Sequence, residues 1–417
     1  MRLTVTTVEL EGADFELISR LPENPLVYIR EGHGLIGWGE ALRLESRASS
    51  GRIADLAKQW RSVVENSFVT DNLLCPGSGL VAFGAFSFSD QSAAPSVLIV
   101  PQVILGSRDG KIWLTRVSNS ADSKPPAPEF WLSEIHYPAN DLLTFQSGTI
   151  SPDEFKNLVS LAVQKIEAGQ IEKVVIARDL VAAIPASFDI RASLKKLSAQ
   201  YPTCWIYSID GIFGASPELL VRVSNSQVSA RVLAGTAARG TDPEVDKAIS
   251  VALASSSKNT AEHAFAVNSL VNSLKQFCAQ VDADPAPFSL ALPNVWHLAS
   301  DVHGILKENA SVLDVAAVLH PTAAVAGTPT GAAQEMISEL EQNDRGRYAG
   351  PVGWIGADGD GEWAIALRGA QIIKTGGAQI AGPHLHAFAG CGIVAESDPE
   401  AEFSETELKF RPIKESL

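Results

Sequence analysis

The sequence predicts an α+β fold in which much of the sheet is antiparallel and the helices pack on its outer faces. Three observations carry this reading. Apolar runs of strand length follow one another with hairpin-length turns, which joins neighbours antiparallel. Segments with apolar residues at helical spacing stand among them, each with one face to bury against a sheet. The chain has 417 residues, 46% of them hydrophobic, enough for a large core in one large domain or in two or three smaller ones.

In chain order, Pro25–Ala41 reads as a hairpin turned at Gly32 and Gly34. Arg52–Asn66 is an amphipathic helix through Leu56, Trp60 and Val63. Leu80–Phe88 reads as a buried strand, and Ser96–Leu105 and Lys111–Val117 as a hairpin about Ser107–Gly110. Ser118–Pro128 is rich in Ser, Pro and Ala and reads as a surface linker. Ser151-Pro152-Asp153-Glu154 is a capping-box start for a helix that Gly169 ends, and a strand follows over Glu172–Ala183. Further helices are expected at Asp189–Gln200, Asn259–Val281, Ser311–Leu319 and Ala332–Glu341. Strands are expected at Cys204–Ile209, Glu218–Val223, Gln227–Leu233, Val295–Leu306, Val352–Ile355, Trp363–Leu367 and Ile372–Ile380. Last comes a glycine-rich turn, Ala389–Gly392, and a helix loaded with carboxylates that Ser397 or Asp398 caps and Pro399 opens. No internal repeat is present.

The formal net charge of -15 argues against nucleic acid or an anionic membrane surface as partner, because either needs a basic patch. Cys75, Cys204, Cys278 and Cys391 are scattered without a CxxC pair, so neither a zinc site nor a disulfide framework is suggested and a reducing cytoplasm is expected. The opening MRLTVTTVEL has no signal-peptide pattern, and no apolar run has the length of a membrane span.

Several polar residues stand where chemistry is possible. Lys173 opens the apolar strand KVVIA; desolvated there it would be a usable base, and at an edge it would only reach water. Glu218, in GASPELLVRV, would have its pKa raised by burial and serve as a general acid; a salt bridge to Lys173 is the structural alternative. Glu402 and Glu405, three apart on one helix, project from one face and suit a hard cation, and Glu262 would complete an oxygen-only site selecting magnesium. The plainer alternative is a solvated acidic helix. Tyr348 and Arg368 offer a phenol and a guanidinium, and the amides around Gly390 and Gly392 add donors, together describing an anion pocket beside a metal.

The segments KVVIAR, GASPELL, LAGT, EHAFAV, LHPTAAVAGTP, RYAGPVGW, AIALRGA, AGCGIV and SDPEAEFSETELK resemble, in that order and at similar separations, the chorismate-using enzyme family. That family includes anthranilate synthase component I, aminodeoxychorismate synthase, salicylate synthase and isochorismate synthase. The match covers roughly Ser151–Pro412. It implies a fold like that of anthranilate synthase component I, a large antiparallel β-sandwich with helices outside. The expected layout is a single domain over 1–417, with 1–117 a less characteristic β-rich part, 118–150 a linker and 151–412 the chorismate-binding part.

Within the family, water must lose a proton before it attacks the ring, and ammonia need not. Lys173 stands where water-using members carry lysine and the ammonia users carry glutamine; Ala234 stands where aminodeoxychorismate synthases carry lysine. His320–Pro329 is similar to isochorismate synthases. The resemblance therefore implies an isochorismate synthase, with no glutaminase subunit. Lys173 would activate water at C2 while Glu218 protonates the departing C4 hydroxyl. Magnesium would be held by Glu262, Glu402 and Glu405. Tyr348, Arg368, Gly390, Gly392 and Lys409 would bind the carboxylates, and Thr236 and His320 would line the ring. Ala237 and Thr330 replace basic residues often found at their positions, which bears on substrate positioning. A salicylate synthase and a catalytically silent homologue are the alternatives. The retained Lys173, Glu218 and three carboxylates count against the silent one.

Overall fold

The computed structural model describes residues 2–12, 15–119, 137, 140–240, 242–291, 295–376 and 380–417, leaving out within them the side chains of Ala234, Thr236, Ala238, Lys258, Glu262, Val295 and His297. Most of the expected linker, residues 120–136, lies outside this description. The chain forms two compact units: Met1–Glu218, His320–Ala357 and Ala364–Leu417 make the larger, Leu219–Leu319 and Asp358–Trp363 the smaller. The larger unit thus draws on both the 1–117 and the 151–412 parts.

In the larger unit, a thirteen-stranded sheet runs in the order 146–147, 173–183, 384–393, 369–373, 212–216, 205–209, 26–30, 33–38, 103–108, 111–119, 3–9 and 68–70, with 327–328 also paired to 173–183. Its pairing is antiparallel except between Leu3–Glu9 and Phe68–Thr70. A second antiparallel set, Leu42–Ser46, Ser96–Val100, Val81–Ala85 and Pro351–Gly356, faces it where Trp205–Ile209 packs on Val81–Ala85 and Pro351–Gly356. Strands between two covered faces read as continuous apolar runs, as in the wholly buried Ser96–Val100 and Pro351–Gly356. The sandwich expected from the sequence is present. Helices Pro152–Glu167, Ile190–Gln200, Thr330–Leu340 and Pro399–Ser416 cover the large sheet, and a core of Val27, Ile36, Leu105, Leu194, Leu197, Ile206, Phe213, Phe410 and Ile413 fills the space between.

In the smaller unit, Leu219–Ser224, Gln227–Ala238 and Val295–Leu306 pair antiparallel, with Cys278–Ala283 and Phe288–Ala291 both on the last. Helix Ser257–Leu274 packs on the two long strands. Among the described residues no helix is long and apolar enough to cross a membrane, and all four cysteines are free thiols.

Local chemistry explains both the agreements and the differences. The capping box forms as expected: the Glu154 amide donates to Ser151 Oγ at 3.3 Å, and the Glu154 carboxylate accepts from the Ser151 amide at 2.8 Å. Asp398 caps the last helix by accepting from the Glu400 and Ala401 amides, with Pro399 at its first position. Ser96–Leu105 is two strands, because Pro101 has no amide hydrogen for the ladder and Gln102 donates instead to the Trp38 carbonyl. The helix expected over Asn259–Val281 stops at Leu274. Pairing with Val295–Leu306 draws Cys278–Ala283 into the sheet, so tertiary context overrides the helical pattern. Pro243–Ser255 is a helix the pattern reading passes over, although Asp242-Pro243 is its start signal. The strand expected at Ile372–Ile380 lies at Gly369–Ile373, and residues 377–379 fall outside the description.

Candidate active site

The strand Lys173–Ala183 is the axis of the site. One side of it pairs with His384–Ile393, with Val175 opposite Gly392 and Ala177 opposite Gly390; on the other side Lys173 pairs with Thr328. The Lys173 side chain runs across Gly392: a Cβ built there would lie 2.7 Å from Lys173 Cε and 3.4 Å from Nζ. Glycine at 392 is thus a steric requirement of the lysine, beyond any role as an amide donor.

Glu218 follows Pro217 at a strand junction, where its amide donates to Ser216 Oγ at 3.2 Å and its carbonyl accepts from the Ile365 amide at 3.0 Å. The residue is half-buried by surface area, with its carboxyl end enclosed. Burial pushes its pKa above the usual carboxylate range, against the pull of Lys173, Arg368 and Lys409, named in order of effect. Desolvation outweighs three cations, and the group is held towards its acid form.

Arg368 has a positive φ of 54°, an uncommon conformation for a residue with a side chain, and burial lowers the pKa of its guanidinium. Its guanidinium makes no hydrogen bond or ion pair among the described residues, although Tyr348 and Glu405 act on it electrostatically. A half-buried guanidinium whose charge is desolvated and has no paired anion among the described residues suits an anionic ligand. Tyr348 is stacked on Phe388 with ring centroids 5.3 Å apart, and burial pushes its phenol up to about 12.

The last helix faces this group. Glu405 pairs with Lys409 at 2.6 Å, and Lys409 also donates to the Gly390 carbonyl at 2.7 Å. Glu402 accepts from Ser397 Oγ at 2.7 Å; burial raises its pKa, and the charge of Glu405 adds to the rise. Ligand atoms of Cys391, Glu402 and Glu405 all lie within 4.8 Å of one another. The reading of a solvated acidic helix fails for Glu402 and Glu405, which are half-buried, and holds for Glu400, which is exposed. Burial also raises the pKa of the Cys391 thiol, which keeps it neutral and leaves the two carboxylates as the hard donors.

His320 is half-buried, with Nε2 3.1 Å from the Phe88 carbonyl, so Nε2 carries the hydrogen. Nδ1 is buried without a partner among the described residues, and burial pushes the imidazole down to about 4, leaving it neutral. Thr236, opposite His297 in the Gln227–Ala238 strand, and Glu262, on helix Ser257–Leu274, belong to the smaller unit, and their side chains are outside the description.

The structure therefore brings together Lys173, Glu218, Tyr348, Arg368, Gly390, Gly392, Glu402, Glu405 and Lys409. Sequence reasoning missed three residues beside them. Cys391 stood between two glycines that drew notice for their amides alone. Arg178 and Asp179 interrupt an otherwise apolar strand, each 1% exposed, and two adjacent buried charges were the available signal. Arg178 lies over the rings of Phe403 and Phe410, donates to Thr406 Oγ1 at 2.7 Å and pairs with Glu407, fastening the last helix to the strand.

Residues 13–417 match the family model described as chorismate binding enzyme. The MenF relative of Mycobacterium tuberculosis is 36% identical over 357 residues, covering 82% of this chain and 87% of its own. Isochorismate synthase MenF of Bacillus subtilis is 30% identical over 409 residues, covering 92% of this chain and 85% of its own. The structure of MenF, the menaquinone-specific isochorismate synthase of Escherichia coli, superposes with a TM-score of 0.76 at 24% identity, covering 99% of this chain and 94% of that one, and carries the fold. With the motifs, the sandwich and these matches in hand, the chain belongs to the chorismate-binding enzyme family.

Proposed function

We propose that this chain is an isochorismate synthase, an isomerase that interconverts chorismate and isochorismate. The observation that carries the proposal is the pairing of Lys173, held over Gly392, with an enclosed Glu218 whose pKa is raised. Water enters at C2 and gives a proton to Lys173; the C4 hydroxyl leaves with a proton from Glu218, and the ring double bonds shift between them. One water is taken up and one released, so the overall change is an isomerisation. Ammonia has no place in this balance, and no glutaminase subunit is needed. Arg368 and Tyr348 receive carboxylate oxygens, Lys409 supplies further positive charge, and the neutral Nδ1 of His320 accepts from a hydroxyl at the ring.

Magnesium fits the donors present. Two half-buried carboxylates of one helix, each raising the energy of the other's charge, are stabilised by a hard divalent ion. Glu402 and Glu405 would hold it; Glu262 is the third ligand the resemblance implies. When bound, the ion supplies positive charge for the ring carboxylate.

Incubating the purified protein with chorismate and magnesium, then separating the products, tests the proposal. Isochorismate as the product supports it. Salicylate with pyruvate would assign the further elimination, and unchanged chorismate would make the chain a silent binder.

A further inference from the structure

Tyr348 is one end of a column of rings. It stacks on Phe388 at an interplanar angle of 14°, and Phe388 meets His386, two residues back on the same strand, at 4.4 Å between centroids. All three line one wall of a cavity of about 860 Å³ in the larger unit, together with Tyr207, Arg347 and Gln371. Rings that border so large a space are not fixed by packing from that side. Their orientation has to be set from elsewhere.

The far end of the column supplies it. His386 Nε2 lies 2.8 Å from Asp179 Oδ2. An ionised carboxylate only accepts, so Nε2 carries the hydrogen and the ring plane of His386 is set. Asp179 is itself immobilised: its carboxylate also accepts from the amides of Thr149 at 2.9 Å and Ile150 at 3.1 Å. The chain at Gly148 closes over it so tightly that a Cβ there would fall 2.0 Å from Oδ2. Burial works to raise the carboxyl pKa of Asp179, but these hydrogen bonds, that from His386 first among them, bring it below the usual range, so the anion is the form held. The line from Asp179 through His386 and Phe388 to Tyr348 is continuous, and none of its first three members belongs to the reacting group.

We propose that Asp179 and His386 are positioning residues for the substrate, acting through Phe388 to hold the phenol of Tyr348 where it receives a carboxylate. The inference rests on the reading of Tyr348 as a chorismate-binding residue. His386→Leu removes the anchor while filling space; His386→Gln keeps a donor for Asp179 and removes the ring.

The test is a double-mutant cycle read on chorismate affinity by calorimetry in the presence of magnesium, with KM and kcat measured in parallel. Each His386 variant should weaken binding and raise KM roughly tenfold, with kcat within about threefold of the parent. In a Tyr348→Phe background, where the phenol hydroxyl is gone, the same substitutions should add little. His386→Gln should keep more of the thermal midpoint than His386→Leu and yet lose as much affinity. Full additivity in the Tyr348→Phe background, or a fall in midpoint with unchanged affinity, overturns the positioning role. These outcomes are separate from the assigned reaction: a parent enzyme that binds chorismate and forms no isochorismate would refute the function and still let the cycle be read. A parent that binds no chorismate would overturn both.

Discussion

Lys173 lies across Gly392 so closely that a methyl group on the glycine would occupy the space of its Cε. Gly392→Ala must therefore push the lysine end aside, and a flexible side chain yields at little cost in stability. The expected change in thermal stability is within about 0.5 kcal/mol. Turnover should fall about a hundredfold, the usual consequence of displacing a reacting group by an ångström. Near-normal turnover in a folded Gly392→Ala protein would mean that the position of Lys173 is not used.

Lys173→Gln keeps length and polarity and removes the proposed base. Isochorismate formation should drop by roughly a hundred- to ten-thousandfold while chorismate still binds. Measuring turnover and thermal midpoint on one preparation distinguishes this from a structural lysine, whose loss would lower the midpoint and leave the rate per folded molecule unchanged.

Glu218 gives a pH dependence with a definite sign. Its raised pKa keeps it protonated above the range of an ordinary glutamic acid, so a rate that needs the acid form should decline with rising pH only beyond that range. The same shift makes the folded state bind this proton more tightly than the unfolded state. Its contribution therefore turns against folding as pH rises through the ordinary glutamate pKa towards the raised one. Glu218→Gln should abolish most turnover and be more stable than the parent at neutral pH, with the difference vanishing in acid. Parallel denaturation curves of the two proteins at both pH values check this; a less stable variant at neutral pH would contradict the assignment.

Excess chelator should stop turnover and added magnesium restore it. Glu402→Gln removes one of two mutually repelling carboxylates, so it should weaken magnesium binding at least tenfold in calorimetry and leave the midpoint of the metal-free protein equal or higher. Unaltered magnesium affinity would place the ion elsewhere.

How much of this was legible in the sequence depended on the range of the interaction. The capping box at Ser151, the Asp398 cap, the hairpins and the spacing of Glu402 and Glu405 are local, and a short window contains everything that sets them. The residues that carry the resemblance were likewise in view as motifs. What could not be read is what a distant segment does to a residue: that Val295–Leu306 recruits Cys278–Ala283 into its sheet, that Gly392 makes room for Lys173, or that Asp179 finds His386. Arg178 and Asp179 show the limit well. Their burial is announced by neighbours that are all apolar, but nothing nearby names the partners that make two buried charges tolerable.

The Lys173–Ala183 strand has a consequence for the order of assembly. Its partners come from far along the chain: Glu341 accepts from the Ala177 amide across 164 positions, and Arg178 reaches Thr406 across 228. Closures of that span are slow to form, because loop entropy is spent before any contact repays it. During refolding, helices and hairpins should recover first and the ability to turn over chorismate last. Far-ultraviolet circular dichroism and activity, followed from the same denatured sample, should thus return on different clocks.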